Sequence, residues 1–197
     1  MANKPWPREK AVLPPSRKPY KLPDGREPVE LDVGCGYARW GREGYPFSPA
    51  VRGPSAIYLD VRPPELPIAN FVVADAHHLP FADQALGSVH MRHVLEHLEE
   101  PAMAVREARR VLKPGGRLFL EVPGPFSRVQ ELDPGHRWRF TPWSLKRLLE
   151  GFSEVAIRGE GISGRLVPFW PLRLLLGRLL PRVPWFLAEY LVAECAK

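Results

Sequence analysis

"VELDVGCG", residues 29–36, decides what kind of chain this is. A short apolar run that stops at Gly34 and Gly36 reads as a buried strand ending in a sharp turn. Without a Cβ, those two glycines let the backbone reverse and come close to a ligand. Four later stretches have the same look: "AIYLDV" (56–61), "NFVVAD" (70–75), "GSVHMR" (87–92) and "RLFLEV" (117–122). Near-continuous apolar runs of this kind suit parallel strands covered on both faces.

The stretches between and after these strands supply helices. In "PAMAVREARRVLKPGG", Pro101 suits a first helical turn, and Met103, Ala104, Ala108, Val111 and Leu112 form an apolar stripe. Lys113, Pro114 and Gly115 stop that helix. Thr141-Pro142 opens a second one through Leu145, Leu148 and Leu149, closed at Gly151. "EVAIRG" (154–159) and "EYLVAECA" (189–196) are the expected final strands. Alternating strands and helices predict a three-layer α/β domain. The connection between the first two strands is unusual, because Gly41, Gly44, Pro46, Pro49, Gly53 and Pro54 leave room for one or two helical turns at most.

Composition bounds the rest. A chain of 197 residues suits one domain, expected over 29–197, with residues 1–28 as a proline-rich basic arm or lid. Cys35 and Cys195 are too few for a disulfide framework and show no C-x-x-C spacing, and no export leader is evident, so a cytoplasmic location is expected. The net charge of +6 permits nucleic acid or an anionic membrane as partner and demands neither. The 24 prolines and scarce Asn and Gln fit a thermophile, although a GC-rich genome gives the same bias.

Acidic residues fall repeatedly at the predicted carboxyl ends of strands, where an open parallel sheet binds its ligands. Asp32 stands beside the first glycine turn, Asp60 closes the second strand and Asp75 the third. A carboxylate at Asp60 can accept from both hydroxyls of a ribose, one at Asp75 from an exocyclic amine, and the Ala76 amide can donate to a ring nitrogen. Each aspartate alone reads equally as a turn cap. A nicotinamide dinucleotide is disfavoured, because Arg39 occupies the third small position of a G-x-G-x-x-G loop.

Together, "VELDVGCGYARWG", "LDV", "VVADAHHLPFADQALGSVHMRHVLEHLEEP" and "REARRVLKPGGRLFLEVPG" resemble class I S-adenosylmethionine-dependent methyltransferases, above all the small "type 11" group, over roughly residues 29 to 123. The resemblance implies a Rossmann-like fold with a mostly parallel seven-stranded sheet and an antiparallel last strand. It implies cofactor contacts from Asp32, Gly34, Cys35 and Gly36 near the methionine moiety, Asp60 and Val61 at the ribose, Asp75 and Ala76 at the adenine, and Arg92 and His93 near the methionine end. Two departures from the family pattern are Ala38, in place of a third glycine, and Gly87, where an aspartate commonly precedes the fourth strand.

"RHVLEHLEEP" (92–101) carries a competing signal. His93, Glu96 and His97 spell H-x-x-E-H, which on a helix puts two imidazoles on one face with a carboxylate beside them, as in a zinc peptidase. Such a site needs a third ligand, and Glu160, Glu189 and Glu194 fall in or beside predicted strands. The family likeness itself accounts for "LEH", so no metal is expected, and Glu96 and His97 are read as fixing the start of the helix.

Methyl transfer from a sulfonium is an in-line displacement that needs alignment above all. Where the acceptor must lose a proton a base helps, and His136 and His93 are the candidates. The expected acceptor is a small molecule or a lipid-like one, shaped by the arm and by the apolar insertion at about 161–187. The insertion reads first as a helix packed on the sheet, and second, over 166–187, as a surface for lipid with Arg173, Arg178 and Arg182 toward headgroups. Its charges and prolines rule out a membrane span. RNA is a less favoured acceptor: Trp6 and Tyr20 lie in the basic arm, yet no RNA-binding module or N/D-P-P-Y motif is present. A module that binds S-adenosylmethionine or S-adenosylhomocysteine without turnover is the alternative from another class.

Overall fold

Strand β1 (Glu30–Val33) lies inside a seven-stranded sheet, with Leu31, Asp32 and Val33 all buried. It pairs in parallel with β2 (Ala56–Asp60) on one side and with β4 (Leu86–Arg92) on the other. β3 (Phe71–Val73) extends the sheet beyond β2, and β5 (Leu112–Pro123) extends it beyond β4, both parallel. The strand order is β3-β2-β1-β4-β5-β7-β6, so direction of build reverses between β1 and β4. That reversal opens a crevice at the carboxyl ends of the strands. β7 (Ala188–Ala196) runs antiparallel to both β5 and β6 (Ser153–Ile162), giving the one antiparallel strand that the family likeness implies. The computed structural model describes residues 30–36, 50–64, 67–128, 130, 133–180 and 182–197. The arm at 1–28, Ala38, Arg39 and the proline-rich stretch up to Pro49 lie outside the described residues.

Three helices accompany the sheet among the described residues. α1 (Pro101–Val111) starts with proline at its first position and buries Ala104, Val105, Ala108 and Val111. Their spacing is one face of a 3.6-residue period, so the helix forms because that face finds β5. α2 (Pro142–Leu148) is set by a reciprocal cap: Thr141 Oγ1 accepts from the Ser144 N–H at 3.2 Å, and Ser144 Oγ accepts from the Thr141 N–H at 2.8 Å. It packs against α1 and buries Leu145. α3 (Trp170–Leu179) lies in the insertion and has no buried residue. It lies against β6 at the edge of the sheet, as the first reading of the insertion has it, while Trp170, Leu174, Leu175 and Leu179 are all more than half exposed. No helix among the described residues is long and apolar enough to cross a membrane.

The two faces of the sheet differ. Val89 and Met91 of β4, and Leu118, Leu120 and Val122 of β5, are buried on one face. The other face carries His90, Arg92, Phe119 and Glu121, half-buried, with His90 in register with Asp32 and with Phe119, and Arg92 with Glu121. Two-sided burial therefore holds for β1 and gives way to alternation toward β5. Gly87 sits where the β4–β5 register shifts, between Leu86 and Ser88.

Candidate functional site

The turn after β1 is built from glycines in left-handed backbone, with φ of 72° at Gly34 and 78° at Gly36. A Cβ on Gly34 would collide with Cγ2 of Val94. The Gly34 and Cys35 amides donate to the Leu59 carbonyl at 2.7 and 3.4 Å, and the Gly36 amide donates to Asp60 Oδ2 at 3.1 Å. With all three amides spent inside the protein, this loop does not form a phosphate cradle. Cys35 is 4% exposed, and burial, with the Asp32 and Asp60 charges adding, pushes its thiol up, so the sulfur stays protonated. It belongs to the floor beneath the turn, and what it offers outward is backbone.

The three aspartates lie at or just past the carboxyl ends of three strands that are neighbours in the sheet. Asp32 is 2% exposed, and its Oδ2 accepts from the Ala50 N–H at 2.6 Å, fixing the return of the chain after residues 37–49. Burial raises its pKa to about 6, with the Ala50 hydrogen bond and the Arg92 charge opposing. Asp60 accepts from Gly36 through Oδ2 and from the Arg62 N–H through Oδ1 at 3.2 Å. Its pKa is raised by burial, against the donors at Arg62 and Gly36. Asp75 Oδ1 accepts from the His77 N–H at 2.9 Å and lies 2.6 Å from His77 Nδ1. Asp60 and Asp75 thus cap local turns, as the plainer reading of the sequence has it, whereas Asp32 ties down a residue 18 positions away. A carboxylate carries about four acceptor positions, so capping does not exhaust any of them. Beside Asp60, Val61 is half exposed, while Ala76 after Asp75 is buried.

A cleft of ≈ 160 Å³ opens beside the end of β4, lined by Ala50, His90, Arg92, Phe119, Glu121 and Val192 among others. His90 stacks on Phe119 with ring centroids 4.5 Å apart, and burial lowers its pKa, so it is the neutral ring of this wall. Small-molecule pockets begin at roughly 300 Å³, so this cleft has room for part of a ligand only. A larger cleft, of ≈ 460 Å³, lies away from the acids, between α3 and the end of β6.

Beyond β4 the chain does not continue as a helix. His93 has φ 56°, Leu95–His97 form a single 3-10 turn, and α1 begins only at Pro101. The competing H-x-x-E-H reading, which needs His93 and His97 on one helix face, therefore finds no such helix. His93 instead bridges two carboxylates, with Nδ1 3.2 Å from Glu96 Oε1 and Nε2 3.0 Å from Glu121 Oε1. Burial pulls its pKa down, but the hydrogen bonds from Glu121 and Glu96 prevail and lift it to about 9, so the ring is a cation at neutral pH. Its edge also meets the Tyr190 ring at 5.2 Å.

The loop that carries His136 folds onto the same turn. The Arg137 and Trp138 amides both donate to the Glu96 carbonyl, at 2.7 and 3.2 Å. The His136 ring rests 4.6 Å from that of His97, and its Nε2 is 3.9 Å from Glu96 Oε1. The two histidines singled out in the sequence thus meet around one carboxylate. Glu121 escaped notice there. Its signal is a charged residue inside the apolar run "RLFLEV".

Comparison with known proteins agrees with this layout. Residues 31–120 match the family model described as "Methyltransferase domain". A ubiquinone/menaquinone biosynthesis C-methyltransferase of Bordetella avium is 39% identical over 101 residues, covering 49% of this chain and 37% of that protein. A demethylmenaquinone methyltransferase of Thermobifida fusca is 31% identical over 121 residues, covering 58% of this chain and 47% of that protein. The chain spans less than half the length of each of these two relatives. Among solved structures, a SAM-dependent methyltransferase from Archaeoglobus fulgidus shares the fold with a TM-score of 0.59 at 21% identity, covering 86% of both chains.

Proposed function

We propose, on the premise that residues 31–120 are a methyltransferase domain of the class I, type 11 kind, that this chain transfers a methyl group from S-adenosylmethionine to a small-molecule or lipid-like acceptor. One observation carries the reading. Asp32, Asp60 and Asp75 lie at or just past the carboxyl ends of three adjacent parallel strands, beside a glycine turn whose own amides are already bonded. The donor set fits that cofactor. Asp60 has acceptor positions left for two ribose hydroxyls, the exposed Val61 side chain offers an apolar face to a flat ring, and Asp75 and Ala76 stand where an amine and a ring nitrogen would be met. Asp32, Gly34, Cys35 and Gly36 border the methionine end, with Arg92 opposite.

When bound, S-adenosylmethionine supplies a methyl group on a positively charged sulfur. The acceptor's lone pair forms the new bond to the methyl carbon while the carbon–sulfur bond breaks and its electron pair returns to sulfur, leaving S-adenosylhomocysteine. The chain's part is to align the acceptor and exclude water. His93 is unsuited to take a proton, because it is already a cation held between Glu96 and Glu121. We assign it to positioning those two carboxylates. His136, with its side chain 4% exposed, is likewise assigned to holding the Asp133–Trp138 loop in place rather than to proton transfer.

The relatives' names point the acceptor screen toward quinol precursors first. α3 supports a lipid-like acceptor, since its Leu174, Leu175 and Leu179 face outward with Arg173 and Arg178 on the same helix. Isothermal titration with S-adenosylmethionine and S-adenosylhomocysteine tests the core of the reading. Saturable one-to-one binding that Asp60→Ala weakens is the expected result, and no binding by folded protein overturns it. Turnover across quinols and lipid-like phenols then separates an enzyme from a module that binds without turning over. Co-sedimentation with anionic liposomes checks α3, and an unbound chain removes its lipid role.

A further inference from the structure

Glu96, His97 and His136 each offer one ligating atom, and the three atoms lie within 4.8 Å of one another. They come from the turn after β4 and from the loop after residue 132, brought together by the hydrogen bonds of Arg137 and Trp138 to the Glu96 carbonyl. We infer that this cluster is a binding site for one zinc-class divalent cation. No part of this rests on the methyl-transfer reading, and it is measured without cofactor.

The polar atoms themselves carry the argument. Glu96 is 0% exposed, and its Oε2 has no hydrogen-bond partner. His136 is nearly as enclosed, and its Nδ1 also has none. A carboxylate oxygen shut away from water without a donor costs at least a few kcal/mol, and more if charged. A cation held in the cluster gives the Glu96 carboxylate the positive partner that its Oε2 lacks. Glu96 is also oriented for it: His93 holds Oε1 at 3.2 Å, leaving Oε2 as the open oxygen. A ligand whose other atom is fixed by a neighbour in this way is a recurrent feature of metal sites.

Donor chemistry selects the metal. Two imidazoles and one carboxylate suit zinc and its neighbours in the transition series over magnesium or calcium, which prefer oxygen alone. Zinc bonds of about 2.0–2.2 Å imply ligand separations of roughly 3.4 Å, a contraction of at most about 1.4 Å from a cluster whose atoms lie within 4.8 Å of one another. Three protein ligands leave a fourth position for water or for an acceptor oxygen. The site differs from an H-x-x-E-H peptidase. Glu96 serves as a ligand here instead of activating water, and His93, with its two nitrogens on Glu96 and Glu121, is no ligand.

Co²⁺ is the probe, added to metal-stripped full-length protein purified without a histidine tag, with Zn²⁺ as competitor. One bound Co²⁺ per chain is expected, with the visible absorption of a four- or five-coordinate ion and displacement by Zn²⁺. Affinity should fall about a hundredfold or more in Glu96→Gln and in His136→Ala. His78→Ala, at an exposed histidine outside the cluster, should bind as wild type. His136→Cys keeps a donor at the position, so it should retain the ion and add a thiolate charge-transfer band. Folded wild-type protein that takes up no Co²⁺ overturns the proposal, and so does uptake unchanged in both Glu96→Gln and His136→Ala. If circular dichroism shows those two variants unfolded, wild-type stoichiometry and the His136→Cys spectrum decide.

Discussion

The backbone N–H of Gly36 donates to Asp60 Oδ2 at 3.1 Å, so the turn after β1 and the end of β2 are held as one piece. Asp60 holds this turn and, in the proposed function, the cofactor ribose, and substitution can separate the two. Asp60→Asn keeps an oxygen for Gly36 but removes the charge and half the acceptor capacity. Asp60→Ala removes everything. S-adenosylmethionine affinity should fall roughly 10- to 100-fold in both, as expected for lost charge-assisted hydrogen bonds. Only Asp60→Ala should also lose about 1 kcal/mol of stability in urea denaturation. Equal stability of the two variants would show that the Gly36 bond contributes nothing.

Gly34 is the glycine that nothing else can replace. Its φ of 72° disfavours any side chain, and an added methyl meets Cγ2 of the buried Val94. Left-handed backbone costs about 1–2 kcal/mol and overpacking about 1–3 kcal/mol more, so Gly34→Ala should destabilise by about 2–5 kcal/mol. The steric share is recoverable. In a double-mutant cycle, Gly34→Ala with Val94→Ala should be less destabilised than the two single variants added together. Strict additivity would mean that the backbone conformation alone is responsible.

Asp32 makes stability depend on pH in a defined window. Its folded pKa is about 6 against an ordinary 3.8, so the native state holds this proton more tightly than the unfolded chain. Below pH 3.8 both states are protonated and Asp32 carries no penalty. Between pH 3.8 and about 6 the unfolded state ionises first, and stability falls as pH rises. Above that the penalty is constant, at up to about 3 kcal/mol. Denaturation midpoints of wild type and Asp32→Asn across this range should diverge, with the variant lacking the downward slope. Parallel curves would remove Asp32 as the cause.

Arg110 joins α1 to the segment before β4. Its guanidinium donates to the Leu79 and Phe81 carbonyls at 2.9 and 2.8 Å, to Asp83 at 2.8 Å and to both oxygens of Glu107. Arg110→Met preserves much of the stem's packing but leaves two carbonyls and Glu107 without this donor. A loss of about 2–3 kcal/mol is expected, with no change in the S-adenosylmethionine dissociation constant at a temperature where the variant is folded. Weakened cofactor binding would mean that this tie reaches the strand ends.

The fold could be read from residues 29 to 122 because each strand there is a compact apolar run bounded by glycine, proline or aspartate. The three acids were legible for the same reason: in a parallel sheet, the end of each run is the same edge of the molecule. What escaped the sequence depends on register and on distant loops. The charge on His93 comes partly from Glu121, a residue of the neighbouring strand. His136 reaches Glu96 through a loop whose path no periodicity encodes. The apolar run of α3 shows a helix but not which side is covered: it lies against β6, yet Trp170, Leu172, Leu174 and Leu175 stay exposed.

The position of β7 has a consequence for how the chain is made. It is the latest strand to be synthesised, yet it lies between β5 and β6, with Ala188, Leu191, Ala193 and Cys195 buried. Until it emerges from the ribosome, β5 has a bare edge on that side and β6 has no partner strand at all. An exposed strand edge is a template for pairing with another chain. Nascent chains arrested before residue 188 should therefore be the species that chaperones hold and that aggregate.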